Sequence, residues 1–211
     1  MLLGRACYTY KFIQMSFPYT EDLIENAFTY EAYRSGIKAA FLKPPADEHE
    51  RKMRPYVEKN SLLMDKYDQI FQVSPDLQLT VEKAPPAIWL VLTEGWCGDA
   101  AFNVPMLAAI EKAVPEKVKL RFVLRDSNLE LMDAHLTDGG RSIPKLIVLS
   151  EDLQELGSWG PRPAALQSLM KTWKNQELSL KQIIPKVHDW YEHDKTQSMQ
   201  SEILELVKTY S

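Results

Sequence analysis

Apolar residues recur at three-to-four-residue spacing through Leu23, Ala27, Tyr30, Ile37 and Phe41, the signature of one buried helical face. Thr20 is a good N-cap for it, Glu21 and Asp22 place negative charge at the positive end of the helix dipole, and Pro44-Pro45 ends the pattern. A second helical pattern follows through Met53, Val57, Leu63, Tyr67, Ile70 and Phe71, with Pro55 marking a start or a kink. From Leu77 the period changes to two. LQLTV predicts a strand, and AIWLVL, continuously apolar, predicts a second one buried on both faces.

After Cys97 the spacing predicts a helix to about Ala113, then a strand in KVKLRFVL and a short helix in NLELMDAHL. PKLIVLS and QELGSW read as a final strand pair joined at Glu151-Asp152, and a helix entered through Pro161 and Pro163 runs from Ala164 to Trp173. This order predicts an α/β architecture, a small central sheet covered on both sides by helices. The tail carries Leu180, Ile183, Ile184, Val187 and Tyr191 on one face and Ile203, Leu206, Val207 and Tyr210 on another, with a polar break near Lys195 to Gln200. It predicts one or two further helices.

Composition narrows the function classes. With 211 residues the chain supports one ordinary core with appended helices. A net charge of -4 and a pI near 5.6 supply no basic field for nucleic acid or anionic lipid, so neither partner is expected. Nothing approaches the ~18 apolar residues of a membrane span. Cys7 and Cys97 are the two cysteines, too few for a disulfide scaffold, and MLLGRACYTYKFIQM lacks a signal-peptide apolar run. The expectation is a cytoplasmic protein.

The chemistry concentrates in TEGWCGDAAFNVP, where Cys97 closes a buried strand and opens a helix. Free backbone N–H groups and the helix dipole at such a junction favour thiolate over thiol. The competing reading is a small buried hydrophobe, as free cysteines often are. Asp99 reads either as an N-cap or as an acceptor for the thiol proton, and its charge works against thiolate formation. His188 and His193 sit five apart, the wrong spacing for a helical ligand pair, and no phosphate loop is found. No metal or other cofactor is implied.

These residues resemble the thioredoxin superfamily. WCGDA stands where that family has Trp-Cys-Gly-Pro-Cys, Pro105 follows the cysteine by eight residues, and SIPKLIVL matches the strand that opens on the family's cis-proline, here Pro144. The stretch from about Leu77 to Asn175 is covered. Within the superfamily the chain is similar to a bacterial thioredoxin-like group with a helical N-terminal extension, in the motifs LTEGWCGDA, LRD-x-NLELMD, GGRSIPKLI and WGPRP. The resemblance implies a thioredoxin-like domain over 75–177, a helical extension over 16–74 and a C-terminal helical extension over 178–211.

It also implies a site. Cys97 is the nucleophile, Asp99 its charged neighbour, and Ile143 and Pro144 present an extended substrate beside Trp96. Arg125 and Arg141 fall on the cysteine side of the sheet, to raise thiolate population or clamp a carboxylate, unless each pairs with a neighbour such as Asp126. Trp96 and Trp159 either wall the pocket or belong to the core. Ala100 replaces the resolving thiol, and Val91 stands where thioredoxins keep a buried acid. The two losses agree with each other.

Two functions are compatible with such a site. One is thiol-disulfide exchange on a protein disulfide or a low-molecular-weight thiol through one cysteine, with release by an external thiol. The other is a non-catalytic module that binds a protein or an extended peptide beside the cis-proline. Cys7 is a candidate resolver only if the leader takes part, and Met15 is an alternative start. The aromatics Tyr8, Tyr10, Phe12, Phe17 and Tyr19 are candidates to cover a sheet edge or a dimer contact.

Overall fold

Four strands form one sheet in the computed structural model, which describes residues 17–211. Cys7, Tyr8, Tyr10, Phe12 and Met15, for which the sequence suggests roles, lie outside the described residues. β1 (Ala87–Thr93) is parallel to β2 (Val118–Leu124) on one side and antiparallel to β3 (Lys145–Ser150) on the other. β4 (Glu155–Trp159) pairs antiparallel with β3, giving the order β2-β1-β3-β4. All of β1 is buried, as its unbroken apolar run requires of a strand covered on both faces.

The crossover from β1 to β2 passes through α5 (Gly98–Ala113), which packs between the sheet and α3 (Glu48–Ile70). Covered on both sides, α5 buries nearly its whole first three turns and shows no one-sided apolar stripe. α3 continues through Pro55.

The single helix expected over Thr20 to Phe41 is two helices, α1 (Glu21–Asn26) and α2 (Tyr30–Ala40). Between them Phe28 leaves the helix and pairs with Phe122 of β2, each N–H donating to the other's carbonyl at 2.8 Å. Partners for an otherwise open sheet edge outweigh helical continuity there. Thr29 restarts the helix by accepting from the Ala32 N–H.

A second expectation fails at LQLTV, which is not a strand but part of α4 (Pro75–Lys83). Ser74 caps it, Pro75 stands at the first helical position and Asp76 faces the dipole. Leu77 and Val81 are buried whereas Leu79 is 50 % exposed, so the burial follows i, i+4 rather than alternation.

The tail forms α8 (Leu180–Asp194) and α9 (Gln197–Lys208) after α7 (Ala164–Asn175), broken where Lys195 and Thr196 turn to positive φ. α9 packs on α4 and β4, and α8 contacts α7. α6 (Leu129–Asp133) follows β2 through a 3-10 turn at Arg125–Ser127. Among the described residues no helix is long and apolar enough to cross a membrane.

Candidate functional site

β1 delivers the chain to a turn, closed by the Cys97 N–H donating to the Glu94 carbonyl at 3.1 Å, and Cys97 then takes the N-cap position of α5. Its side chain does not cap. Instead Sγ donates to the Ile143 carbonyl at 3.2 Å, beside an Ile143–Pro144 peptide bond that is cis. The backbone N–H groups of Asp99 and Ala100, at the start of the same helix, pull the thiol toward thiolate.

Cys97 is only 6 % exposed, and both Ile143 and Pro144 are buried. Burial, with the Asp99 charge second, pushes the thiol up to about 12, against the pull of the two N–H groups and Arg162. Reactive thiols are shifted the other way. The resting side chain is therefore a protonated, hydrogen-bonded thiol.

Asp99 is not the N-cap of α5; it lies inside the first turn. Its carboxylate is held by the Arg162 guanidinium, with Nε at 3.1 Å from Oδ2 and Nη2 closer, and by the Tyr191 hydroxyl, which donates to Oδ1 at 2.8 Å. Asn103 Nδ2 donates to the Tyr191 hydroxyl at 3.0 Å and to the Asp99 carbonyl at 2.9 Å. With both sides of the carboxylate engaged, the capping geometry is lost and the negative charge is balanced where it stands.

The two arginines expected near the sulfur are held by other groups. Arg125 lies over the half-buried Trp96 ring, 4.7 Å from its centroid, and its guanidinium bonds Asp126 at 2.7 and 2.9 Å and the Arg141 carbonyl at 3.3 Å. Arg141 is paired outward with Asp133 at 2.6 and 2.7 Å. The guanidinium that acts on the sulfur is that of Arg162.

Trp159 is core: its indole N–H donates to Glu202 at 2.6 Å and only 8 % of the residue is exposed. Val91 is fully buried among apolar neighbours. The position that resembles the family's buried acid carries no titratable group here.

Reading the sequence missed Arg162, Asn103 and Tyr191 as site residues. The one signal lay in WGPRP. Gly160 has φ +116°, and a Cβ there would sit 2.3 Å from the Pro144 carbonyl oxygen, so only glycine lets this loop lie on the Ile143–Pro144 turn and bring Arg162 to Asp99. Tyr191 read as one more apolar-face residue, because its partner is 92 positions away.

The crystal structure of a protein of unknown function, PA1234 from Pseudomonas aeruginosa, is similar to this chain with a TM-score of 0.58 and 16 % identity, over 90 % of this chain and 96 % of that one. An HIV 4E10 epitope-scaffold is similar at a TM-score of 0.56 and 15 % identity, over 90 % and 98 %. At such identities the likeness is one of fold. No curated protein matches the sequence. A family model described as thioredoxin matches residues 47–174, more than half the chain and a stretch that runs from α3 through Cys97 to Arg162, and the protein belongs to the thioredoxin family.

Proposed function

We propose that the protein exchanges thiols and disulfides through Cys97 alone, starting from a closed resting state. The observation that carries this reading is the sulfur held at the start of α5, 3.2 Å from the Ile143 carbonyl, where the Asp99 and Ala100 N–H groups favour its thiolate. Those donors and the dipole favour a thiolate, and burial opposes it. Loosening the contact with Ile143 hydrates the sulfur and removes the largest influence that keeps it protonated.

The chemistry balances without a bound cofactor. The Cys97 thiolate attacks one sulfur of a disulfide R–S–S–R′, that bond breaks, R′S⁻ leaves and Cys97 carries R as a mixed disulfide. Ala100 offers no thiol to displace it. An external thiolate, from a small molecule or another protein, attacks R's sulfur and returns Cys97 as thiolate. Ile143 and Pro144 present the extended substrate, Trp96 flanks it, and a reducing compartment such as the cytoplasm keeps Cys97 as a thiol between cycles.

Burial favours a second reading, a module that binds a protein or an extended peptide beside the cis-proline without chemistry. Site-resolved mass spectrometry separates the two. With oxidised glutathione, exchange predicts a slowly accumulating adduct on the Cys97 peptide, released by added thiol and lost in Cys97→Ser. Alkylation of Cys97 should run far behind that of a small free thiol at pH 8. If no adduct forms on Cys97 while Cys7 is labelled fully, and Cys97→Ser still captures its partner, exchange is wrong and the binding module stands.

A further inference from the structure

Between α2, α3 and the turn before Cys97 lies a cavity of about 400 Å³, a volume suited to a small organic ligand. Ile37, Phe41, Met53, Val57 and Leu124 make its walls apolar, and Trp96 closes the side toward the cysteine turn. Cys97 does not line it, so the cavity is a site separate from the sulfur, sharing with it the turn of Glu94, Gly95 and Trp96.

Most charged groups around the cavity have partners. Asp47 accepts from the Glu50 N–H at 2.8 Å, Glu50 from the Ala46 N–H at 2.6 Å, and Asp126 from Arg125. Arg54 donates to the carbonyls of Ala40 and Lys43 at 3.0 and 2.6 Å. Glu94 is different. It is 9 % exposed, its Oε1 accepts from the Asp126 N–H at 2.9 Å, and its other oxygen has no hydrogen-bond partner among the described residues. A carboxyl in apolar surroundings is costly unless paired, and burial accordingly pushes its pKa up.

A second observation is the space over Gly36. Glycine inside a helix costs about 1 kcal/mol relative to alanine, which a close neighbour usually explains. At Gly95, in the turn before Cys97, close neighbours do account for the glycine: a Cβ would meet Ile37 at 3.2 Å and Val57 at 3.3 Å. At Gly36, which is solvent-exposed at the rim of the cavity, a Cβ would meet nothing within 4 Å.

We propose that this cavity binds an organic cation, a primary ammonium carried on an apolar or aromatic body, with the ammonium donating to the free oxygen of Glu94 and the body lying over Gly36. The sign of the ligand follows from Glu94, since the other acidic groups of the lining, Asp47, Glu50 and Asp126, already have partners. An anion would meet Glu94 with like charge. A neutral ligand would leave the carboxyl with no positive charge beyond Arg125 and His49, which already act on it.

Titrating the full chain with 2-phenylethylammonium, 2-phenylethanol and 3-phenylpropionate tests this, read on the amides of Gly36 and Gly95 and the indole of Trp96 by NMR. The ammonium should saturate and bind at least ~10-fold tighter than the carboxylate. Glu94→Gln should bring it down to the level of the alcohol. Gly36→Leu, which fills the space and suits a helix, should abolish binding with no loss of thermal stability. The proposal is overturned if the three probes bind alike, if the ammonium keeps its lead in Glu94→Gln, or if the shifts map away from this cavity. Each of those results leaves the Cys97 adduct experiment untouched.

Discussion

The helices before the sheet and the helices after it approach the cysteine turn by different means. The C-terminal pair reaches in with polar groups: Tyr191 of α8 bonds Asp99, and Glu202 of α9 accepts from the Trp159 indole and the Ala164 N–H at 2.6 and 2.7 Å. The N-terminal helices meet the turn through hydrocarbon, with Ile37 and Val57 against Gly95, and with one polar tie, Asn60 donating to the Gly95 carbonyl at 3.0 Å. The first contact governs charge beside the sulfur. The second governs where the backbone of the turn runs and how much room is left beside it.

Breaking the polar side should have the largest effect. Arg162→Met leaves the Asp99 carboxylate, only 12 % exposed, with Tyr191 as its remaining side-chain partner, and should cost about 3 kcal/mol in urea unfolding. Combining it with Asp99→Asn should recover part of that loss, since the two changes act on one pair. Tyr191→Phe removes one donor from Asp99 and one acceptor from Asn103, and should cost about 1–2 kcal/mol.

The closure of the site between the two extensions is tested by pH. The folded thiol lies near 12 against an ordinary value of 9.0, so above pH 9 the native state keeps a proton that the unfolded chain releases. Stability from this source is complete below pH 9 and is lost as pH rises toward 12. Between pH 8 and pH 10 the natural chain should lose about 1 kcal/mol more than Cys97→Ser, measured by urea unfolding at each pH. Equal losses would mean that the sulfur is already open to water.

The apolar side predicts the smallest effects, of opposite sign. Gly95→Ala forces Ile37 and Val57 to give way and should destabilise by about 1 kcal/mol. Gly36→Ala meets nothing and should stabilise by up to about 1 kcal/mol. If both substitutions destabilise, the space over Gly36 is not free in solution and the contrast between the two glycines fails.

Much of this was legible along the chain. The unbroken run AIWLVL became the central strand, and the Trp-Cys-Gly junction fell at the strand-to-helix passage its composition predicted. LQLTV misled because Leu77, Leu79 and Val81 fit alternation while Leu77 and Val81 also fit a helical turn; Ser74-Pro75-Asp76, a cap followed by a first-turn proline, was the signal to weigh. The break at Phe28 had no local signal, since its cause is the open edge of β2 nearly a hundred positions on.

By itself the sequence determined what depends on short range: periodicity, caps, the layer order, and a lone cysteine at a helix start with alanine in the place of its partner. Tertiary structure alone decided the state of that cysteine. Desolvation and charge pairing arise between segments far apart in the chain, 63 positions for Arg162 with Asp99 and 46 for the sulfur with the Ile143 carbonyl. Neither has a local pattern, and desolvation is strong enough to reverse what the helix start would do to the thiol even with Arg162 pulling the other way.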